Sequence, residues 1–226
     1  MLARIALWIV FAPVQLFLLG LFLLFDCIRC FHLAFQPRES QKPESQAVSR
    51  ELCSIVVLNW NGRHLLEESL SALEKAIRFT GKNHEIIVVD NGSSDESVSW
   101  LKLNYPNFRM ISLNENLGFG AGNNRGVEAA RHDIVVLLNN EMIVAEDFLP
   151  PLLEAFSDPQ VFAVSSQVLF PEGKRREETG NTQVHFKWGY MDLSHQPIQS
   201  FHSTRGYLPV LWAGGGSSAF HRQDFL

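Results

Sequence analysis

The order of apolar and polar positions divides the chain into two unlike parts. From Ile5 to Phe25 no charged residue interrupts the sequence, and only Pro13, Gln15 and Gly20 break the apolar run. A helix of a soluble core would show a polar face, and this segment has none. At 1.5 Å per residue it would be about 31 Å long, the hydrocarbon thickness of a bilayer. The run exceeds a cleavable signal's apolar region and gives way to Asp26-Cys27-Ile28-Arg29-Cys30. An uncleaved transmembrane anchor over residues 5–25 is therefore expected. Residues 36–51 are polar and contain Pro37 and Pro43, and a flexible tether is expected over residues 26–51.

From residue 52 the pattern changes to short β-branched runs separated by helical periods. Ser54–Leu58 predicts a buried strand stopped by Asn59-Trp60-Asn61-Gly62. Leu65, Leu66, Leu70, Leu73, Ala76 and Ile77 recur at helical spacing among charged residues. Further strands are expected at 85–90, 109–113, 134–138 and 161–168. Helices are expected from Ser94 or Ser97 through Leu101, over 122–130 and around 147–156. Phe186, Trp188 and Tyr190 alternate at strand period and predict an edge strand, or more sharply a sugar-stacking platform. Strands joined by single helices give a mostly parallel α/β sheet. Ligands of such sheets bind at the carboxyl ends of the strands.

Charge sharpens the division. The first 50 residues hold five basic and three acidic side chains, and the remainder holds 14 basic and 21 acidic. Basic residues after the apolar run (Arg29, Arg38, Lys42, Arg50) outnumber Arg4 before it, which favours a cytoplasmic body. A net charge of −5 and a pI near 5.9 disfavour a nucleic-acid partner. Three cysteines exclude a disulfide scaffold and fit a reducing compartment. Cys27-x-x-Cys30 lacks a second ligand pair and reads as two small apolar residues at a helix end.

Four strand ends carry polar clusters. Asn59 and Asn61 end the first. Asp90 ends the second, where a carboxylate can accept from a ribose hydroxyl or a base N–H, or simply cap Ser93 or Ser94. After the third comes Asn114-Glu115-Asn116-Leu117-Gly118-Phe119-Gly120-Ala121-Gly122-Asn123-Asn124-Arg125-Gly126. Its glycines let backbone N–H groups approach phosphate, but Asn123 and Arg125 stand where a dinucleotide fingerprint requires glycine. Asn139-Asn140-Glu141 ends the fourth, and a carboxylate there suits Mg²⁺ or Mn²⁺ shared with substrate phosphates. Lys174-Arg175-Arg176 reads as a solvated turn, and no His pair at zinc spacing occurs.

Taken in order, Ser54–Gly62, Ile87–Asp95, Asn116–Gly126, Leu137–Glu141 and Trp212-Ala213-Gly214-Gly215-Gly216 resemble glycosyltransferase family 2. These are inverting enzymes with a GT-A fold, a Rossmann-like, mostly parallel sheet with flanking helices, and the resemblance is nearest to their rhamnosyltransferase-like branch. It covers residues 52–226. It implies transfer of a sugar from a nucleotide-sugar donor to a hydroxyl of a lipid-linked or surface-glycan acceptor. Leu58, Asn59, Asn61 and Asp90 would hold base and ribose. Gly118, Asn123, Asn124 and Asn140 would flank the nucleotide. Glu141 replaces the usual aspartate of the metal motif, and Gly214 and Gly215 would lie on the acceptor side. The family's catalytic base is expected downstream of Leu226, so the chain reads as the nucleotide-binding portion of a longer enzyme. A truncated, non-catalytic nucleotide-binding or partner-binding module is the competing expectation.

Overall fold

The computed structural model describes residues 13–26, 28, 51–168, 181–187, 189–196 and 208–226. The chain divides into two compact units, 1–47 and 48–226. In the first, residues 13–26 form a helix, α1. Its apolar side chains are exposed all round, from Leu21 at 46% to Phe22 at 69%. The described part of this helix is about 21 Å long, shorter than a bilayer's hydrocarbon layer. Among the described residues no helix is long and apolar enough to cross a membrane, so the expected transmembrane helix is not shown. Residues 5–12 of that span, with Cys27, Cys30 and residues 29–50 of the tether, lie outside the described residues.

The second unit begins with β1 (Cys53–Asn59), whose side chains are buried on both faces except the partly exposed Leu58. Helix α2 (Arg63–Thr80) buries Leu66, Leu70, Leu73 and Ala76 on one stripe and ends at Gly81 in a left-handed cap. Then come β2 (Glu85–Asp90), α3 (Ser97–Asn104), β3 (Arg109–Ser112), α4 (Phe119–Ala129), β4 (Ile134–Asn139) and α5 (Leu149–Ala155). The chain continues through β5 (Ala163–Ser165), β6 (Asn181–Lys187), β7 (Tyr190–Gln196), β8 (Ser217–His221) and α6 (Arg222–Phe225).

One sheet has the order β3-β2-β1-β4-β8-β5, and among the described residues β6 pairs only with β7. The four strands β3, β2, β1 and β4 are parallel. Strand β8 is antiparallel to both β4 and β5. The mostly parallel expectation therefore stands. The fifth strand is shorter than 161–168, and a late strand separates it from the fourth. The expected edge strand through Phe186, Trp188 and Tyr190 does not form. Gly189, at φ +83, turns the chain, and Phe186 and Tyr190 fall on opposite faces of a hairpin. Residue 188 lies outside the described set.

The sheet carries a core on each side. Leu66, Leu70 and Leu73 of α2 and Leu149, Leu152 and Phe156 pack against Ile55, Val57 and Val136. On the other side Val127 and Ala130 cover Val56, Val89, Val135 and Leu137. Chain order reverses between β1 and β4: β2 and β3 build outward from one edge of β1, and β4 returns to the other. That is the switch point where an open α/β sheet leaves a crevice at its carboxyl edge.

Candidate functional site

At the switch point one buried amide ties three strand ends together. Asn59 is fully buried at the end of β1. Its Nδ2 donates to Asp90 Oδ1 at 3.1 Å and to Ser93 Oγ at 3.3 Å. Its Oδ1 accepts from Asn140 Nδ2 at 2.8 Å. The orientation of the amide follows from these partners, because the carboxylate requires the donor side. Asp90 Oδ2 accepts the Ser93 N–H at 3.1 Å. Asp90 thus caps Ser93, as its turn context allows, and also faces Asn59. It is 2% exposed, yet a carboxylate offers about four lone-pair sites and only two are used among the described residues. Gly62 closes the floor: a Cβ there would overlap Asn140 Nδ2 and lie 2.6 Å from Asn59 Oδ1.

Asn61 is spent differently. It adopts a left-handed conformation at φ 50, which asparagine tolerates. Its Oδ1 accepts the Ser94 and Asp95 N–H groups at 2.8 and 3.3 Å, and its own N–H donates to Ser93 Oγ. Asp95 in turn accepts the Arg63 N–H at the start of α2 and the Ser97 N–H at the start of α3. Slight burial works against its charge, but these hydrogen bonds outweigh it and hold the carboxyl below its ordinary range. Asn61 therefore fixes the loop after β2 from the loop after β1.

The glycine-rich loop is held by Asn91, which the sequence marks only as a turn residue. Asn91 Nδ2 donates to Asn116 Oδ1 at 2.9 Å and to the Gly118 carbonyl at 3.1 Å. Its Oδ1 accepts the Leu117 N–H at 3.0 Å. The Asn-Gly pair after an apolar strand signals a turn, and burial of that asparagine is a tertiary fact. Helix α4 starts right after Gly118, three residues before the expected position. Its first turn places Phe119 outward, at 51% exposure, and Asn123 inward, at 2%. Asn123 Nδ2 donates to the Phe119 carbonyl at 3.1 Å, and its Oδ1 has no partner among the described residues. Asn124 is exposed, and Leu58 packs under Gly122.

Strand β8 carries the later glycines to the same edge. The Asn139 N–H donates to the Gly216 carbonyl at 3.0 Å. A Cβ on Gly215 would stand 3.0 Å from the Phe119 ring, and one on Gly216 would stand 3.0 Å from Asn139 Nδ2. Among the described residues, nothing lies within 4 Å of a Cβ on Gly214. The two loops expected on the donor and acceptor sides thus meet through Phe119, a contact that follows from the late antiparallel strand. Glu141 is exposed beside them, with Asn139 Nδ2 3.5 Å from its Oε1. Among the described residues no group of three or more His, Cys, Asp or Glu side chains gathers as a metal cage. The oxygens at this strand end suit a hard divalent ion that completes its shell with phosphate and water.

The structure thus brings Leu58, Asn59, Asp90, Gly118, Asn123, Asn140, Glu141, Gly214 and Gly215 to the carboxyl edge of the sheet. Asn61 lies in the loops behind them, and Asn124 points outward from α4.

Comparison with known proteins adds four findings. The family model for glycosyl transferase family 2 matches residues 54–220. A dolichol-phosphate mannosyltransferase of Pyrococcus furiosus is 29% identical over 117 residues, covering 50% of this chain and 32% of that protein. A poly-beta-1,6-N-acetyl-D-glucosamine synthase of Staphylococcus aureus is 30% identical over 129 residues, covering 56% and 31%. The matched segments span about a third of the length of these relatives. TarS of S. aureus (residues 1–349) has a similar fold, with a TM-score of 0.50 at 15% identity over 75% of this chain and 47% of that one.

Proposed function

Because the chain belongs to glycosyl transferase family 2, we propose that its carboxyl-edge crevice binds a nucleotide-sugar for transfer, with inversion, to a hydroxyl of a lipid-linked or glycan acceptor. The observation that carries this is the Asn59 amide, which joins Asp90 and Asn140 across the switch point.

In this reading the unused lone pairs of Asp90 accept from the ribose or base of the nucleotide. Leu58 supplies an apolar wall. Asn61 and Asn91 keep the two flanking loops in place, and the first turn of α4 with Asn123 borders the nucleotide. Glu141 would hold Mg²⁺ or Mn²⁺, which when bound neutralises charge on the departing nucleoside diphosphate. The acceptor approaches past Gly214, while Gly215 lets the Phe119 ring lie close beside that path. Its hydroxyl oxygen bonds to the anomeric carbon as the carbon–phosphate oxygen bond breaks on the opposite face. The hydroxyl proton passes to a general base, which no residue in this crevice is assigned to supply.

The proposal includes a membrane anchor with the body on the cytoplasmic side. The all-round apolar exposure of α1 and the basic residues that follow the apolar run support it.

Calorimetric titration of the full chain in detergent with UDP, GDP and dTDP, with and without Mn²⁺, tests the site. Binding of one nucleotide, weakened by Asp90→Asn or Asn59→Ala, is expected. A folded chain that binds none of the three overturns the reading.

A further inference from the structure

At the edge of the sheet away from the crevice, β1 begins with a hydrogen bond to a side chain. The Cys53 N–H donates to His84 Nδ1 at 3.2 Å, and Cys53 Sγ lies 3.3 Å from the same nitrogen. His84 is 6% exposed and stands between the end of α2 and the start of β2. Its other nitrogen, Nε2, is 3.1 Å from Thr80 Oγ1. The Thr80 hydroxyl gives its proton to the Ile77 carbonyl at 2.8 Å, so toward the imidazole Oγ1 is an acceptor. Both bonds require the same tautomer. Nδ1 is bare because it accepts a backbone N–H, and Nε2 carries the proton. One neutral ring therefore joins the first residue of β1 to the last turn of α2.

A second proton has no place here. On Nδ1 it would face the Cys53 N–H, donor against donor, and would put a charge on a buried ring. The neighbours give that charge no support. Lys82, two residues before His84, and His132, in the turn before β4, add to the positive side. The Glu85 carboxylate at the start of β2 is engaged by Ser54 Oγ, the Arg131 N–H and the Arg131 and Arg109 guanidinium groups. Glu51 is paired with Lys82 at 3.9 Å. Burial first, then His132 and Lys82, hold the imidazole below its ordinary pKa.

We propose that His84 is an acid-released latch: neutral, it fastens the start of β1 to the last turn of α2, and on protonation it lets go, so that this corner opens while the sheet stays folded. The corner can open alone because it consists of a strand's first residue and a helix's last turn, which ends at Gly81. The Cys53 side chain stays in the core cluster with Ile55 and Leu73, so release frees its N–H and not its thiol. A released ring regains the ordinary value of about 6.5. The latch therefore contributes fully above that value and is lost as pH falls from there toward the lower folded value. The opening equilibrium should rise about tenfold between pH 7.5 and 5.5.

Cys27→Ser and Cys30→Ser leave Cys53 as the single cysteine of the full chain. Labelled with [¹⁵N]cysteine in detergent, this chain gives one amide resonance, the Cys53 N–H itself. Its hydrogen exchange is followed from pH 5 to 8, each rate divided by the intrinsic rate at that pH. Protection is expected to fall about tenfold from pH 7.5 to 5.5 and to be insensitive to sub-denaturing urea. In His84→Asn, which keeps an acceptor near the place of Nδ1 and cannot charge, it should stay level. Nitrogen shifts of the [¹⁵N]histidine-labelled parent read the tautomer without any change at position 84. Protection that is level in the parent, or that falls equally in His84→Asn, overturns the proposal. So does a fall that steepens with urea as global unfolding does, or a His84 that is charged or protonated on Nδ1 at pH 7.5.

Discussion

Replacing Asn59 by aspartate changes one donor into an acceptor and almost nothing else. The Oδ1 that accepts from Asn140 is kept, while the donor to Asp90 Oδ1, 3.1 Å away, becomes a second carboxylate oxygen. Two unit charges at that separation repel by about 5 kcal/mol at an effective dielectric constant of 20. The folded variant escapes part of this by keeping a proton on the introduced carboxyl. Its folded pKa then lies above its unfolded value of about 3.9, at a cost of about 1.4 kcal/mol for each tenfold change in the protonation equilibrium. A group raised in the folded state contributes fully below its unfolded pKa and loses that contribution as pH rises through the folded one. Asn59→Asp should therefore be about 3–4 kcal/mol less stable than the parent at pH 8, and the deficit should shrink as pH falls toward 4. The exchange variant Asn59→Asp/Asp90→Asn restores a donor facing an acceptor and should recover to within about 1 kcal/mol. Urea unfolding of the full chain in detergent, followed by far-ultraviolet circular dichroism from pH 5 to 8, measures all three. An Asn59→Asp deficit that is the same at pH 5 and pH 8, or an exchange variant as weak as the single one, would refute the reasoning.

Gly62→Ala should cost about 1–3 kcal/mol, because its Cβ would occupy the space of Asn140 Nδ2, and nucleotide affinity measured by calorimetry should fall with it. Glu85, at the opposite end of β2, is buried and accepts from Ser54 Oγ at 2.6 Å and from the Arg131 N–H at 3.1 Å, with the Arg109 guanidinium at 3.4 Å. Burial pushes its pKa up, but the Ser54 and Arg131 hydrogen bonds and the two arginines prevail and lower it. The stability it contributes is present above its unfolded value of about 4.3 and is lost as pH falls through the folded one. Glu85→Gln should remove that acid-side slope and cost about 2–4 kcal/mol at neutral pH, read from thermal melts between pH 3 and 7. Burial pushes the Cys53 thiol up to about 12. In the Cys27→Ser/Cys30→Ser chain it should react with a thiol reagent at pH 8 only as fast as the protein unfolds, measured against urea concentration.

Much of the architecture is written in local pattern. Continuous β-branched runs flanked by turn residues mark β1, β2 and β4, and the amphipathic stripe of Leu66, Leu70 and Leu73 marks α2. Parallel order follows from their alternation, and the carboxyl edge follows from parallel order. Asn59, Asp90 and Asn140 can therefore be brought to one edge from sequence. Their direct bonding cannot, because it depends on the β1–β2 and β1–β4 registers, which pair Asn59 with Asp90 and Leu58 with Asn139. The role of Asn91 stays hidden because an asparagine before glycine looks like any turn. The hairpin escapes the pattern because Phe186, Trp188 and Tyr190 keep a strand's period across Gly189, and periodicity does not register a positive φ. The place of β8 is hidden for another reason: nothing local says that five residues near the end will pair with β4.

That late pairing has a consequence for how the protein is made. The outer edge of β4, Ile134–Leu138, is an apolar strand whose partner, Ser217–His221, lies some 80 residues further along. At ribosomal speeds of about 5–20 residues per second the edge waits roughly 4–16 s for its cover. During that interval β3, β2, β1 and β4 can already pair, and an open row of backbone donors and acceptors faces other nascent chains. The segment that carries Gly214–Gly216 is thus also the one whose arrival seals the sheet. Slow codons between Asn139 and Ser217 should raise aggregation in the cell without changing a single residue of the finished protein.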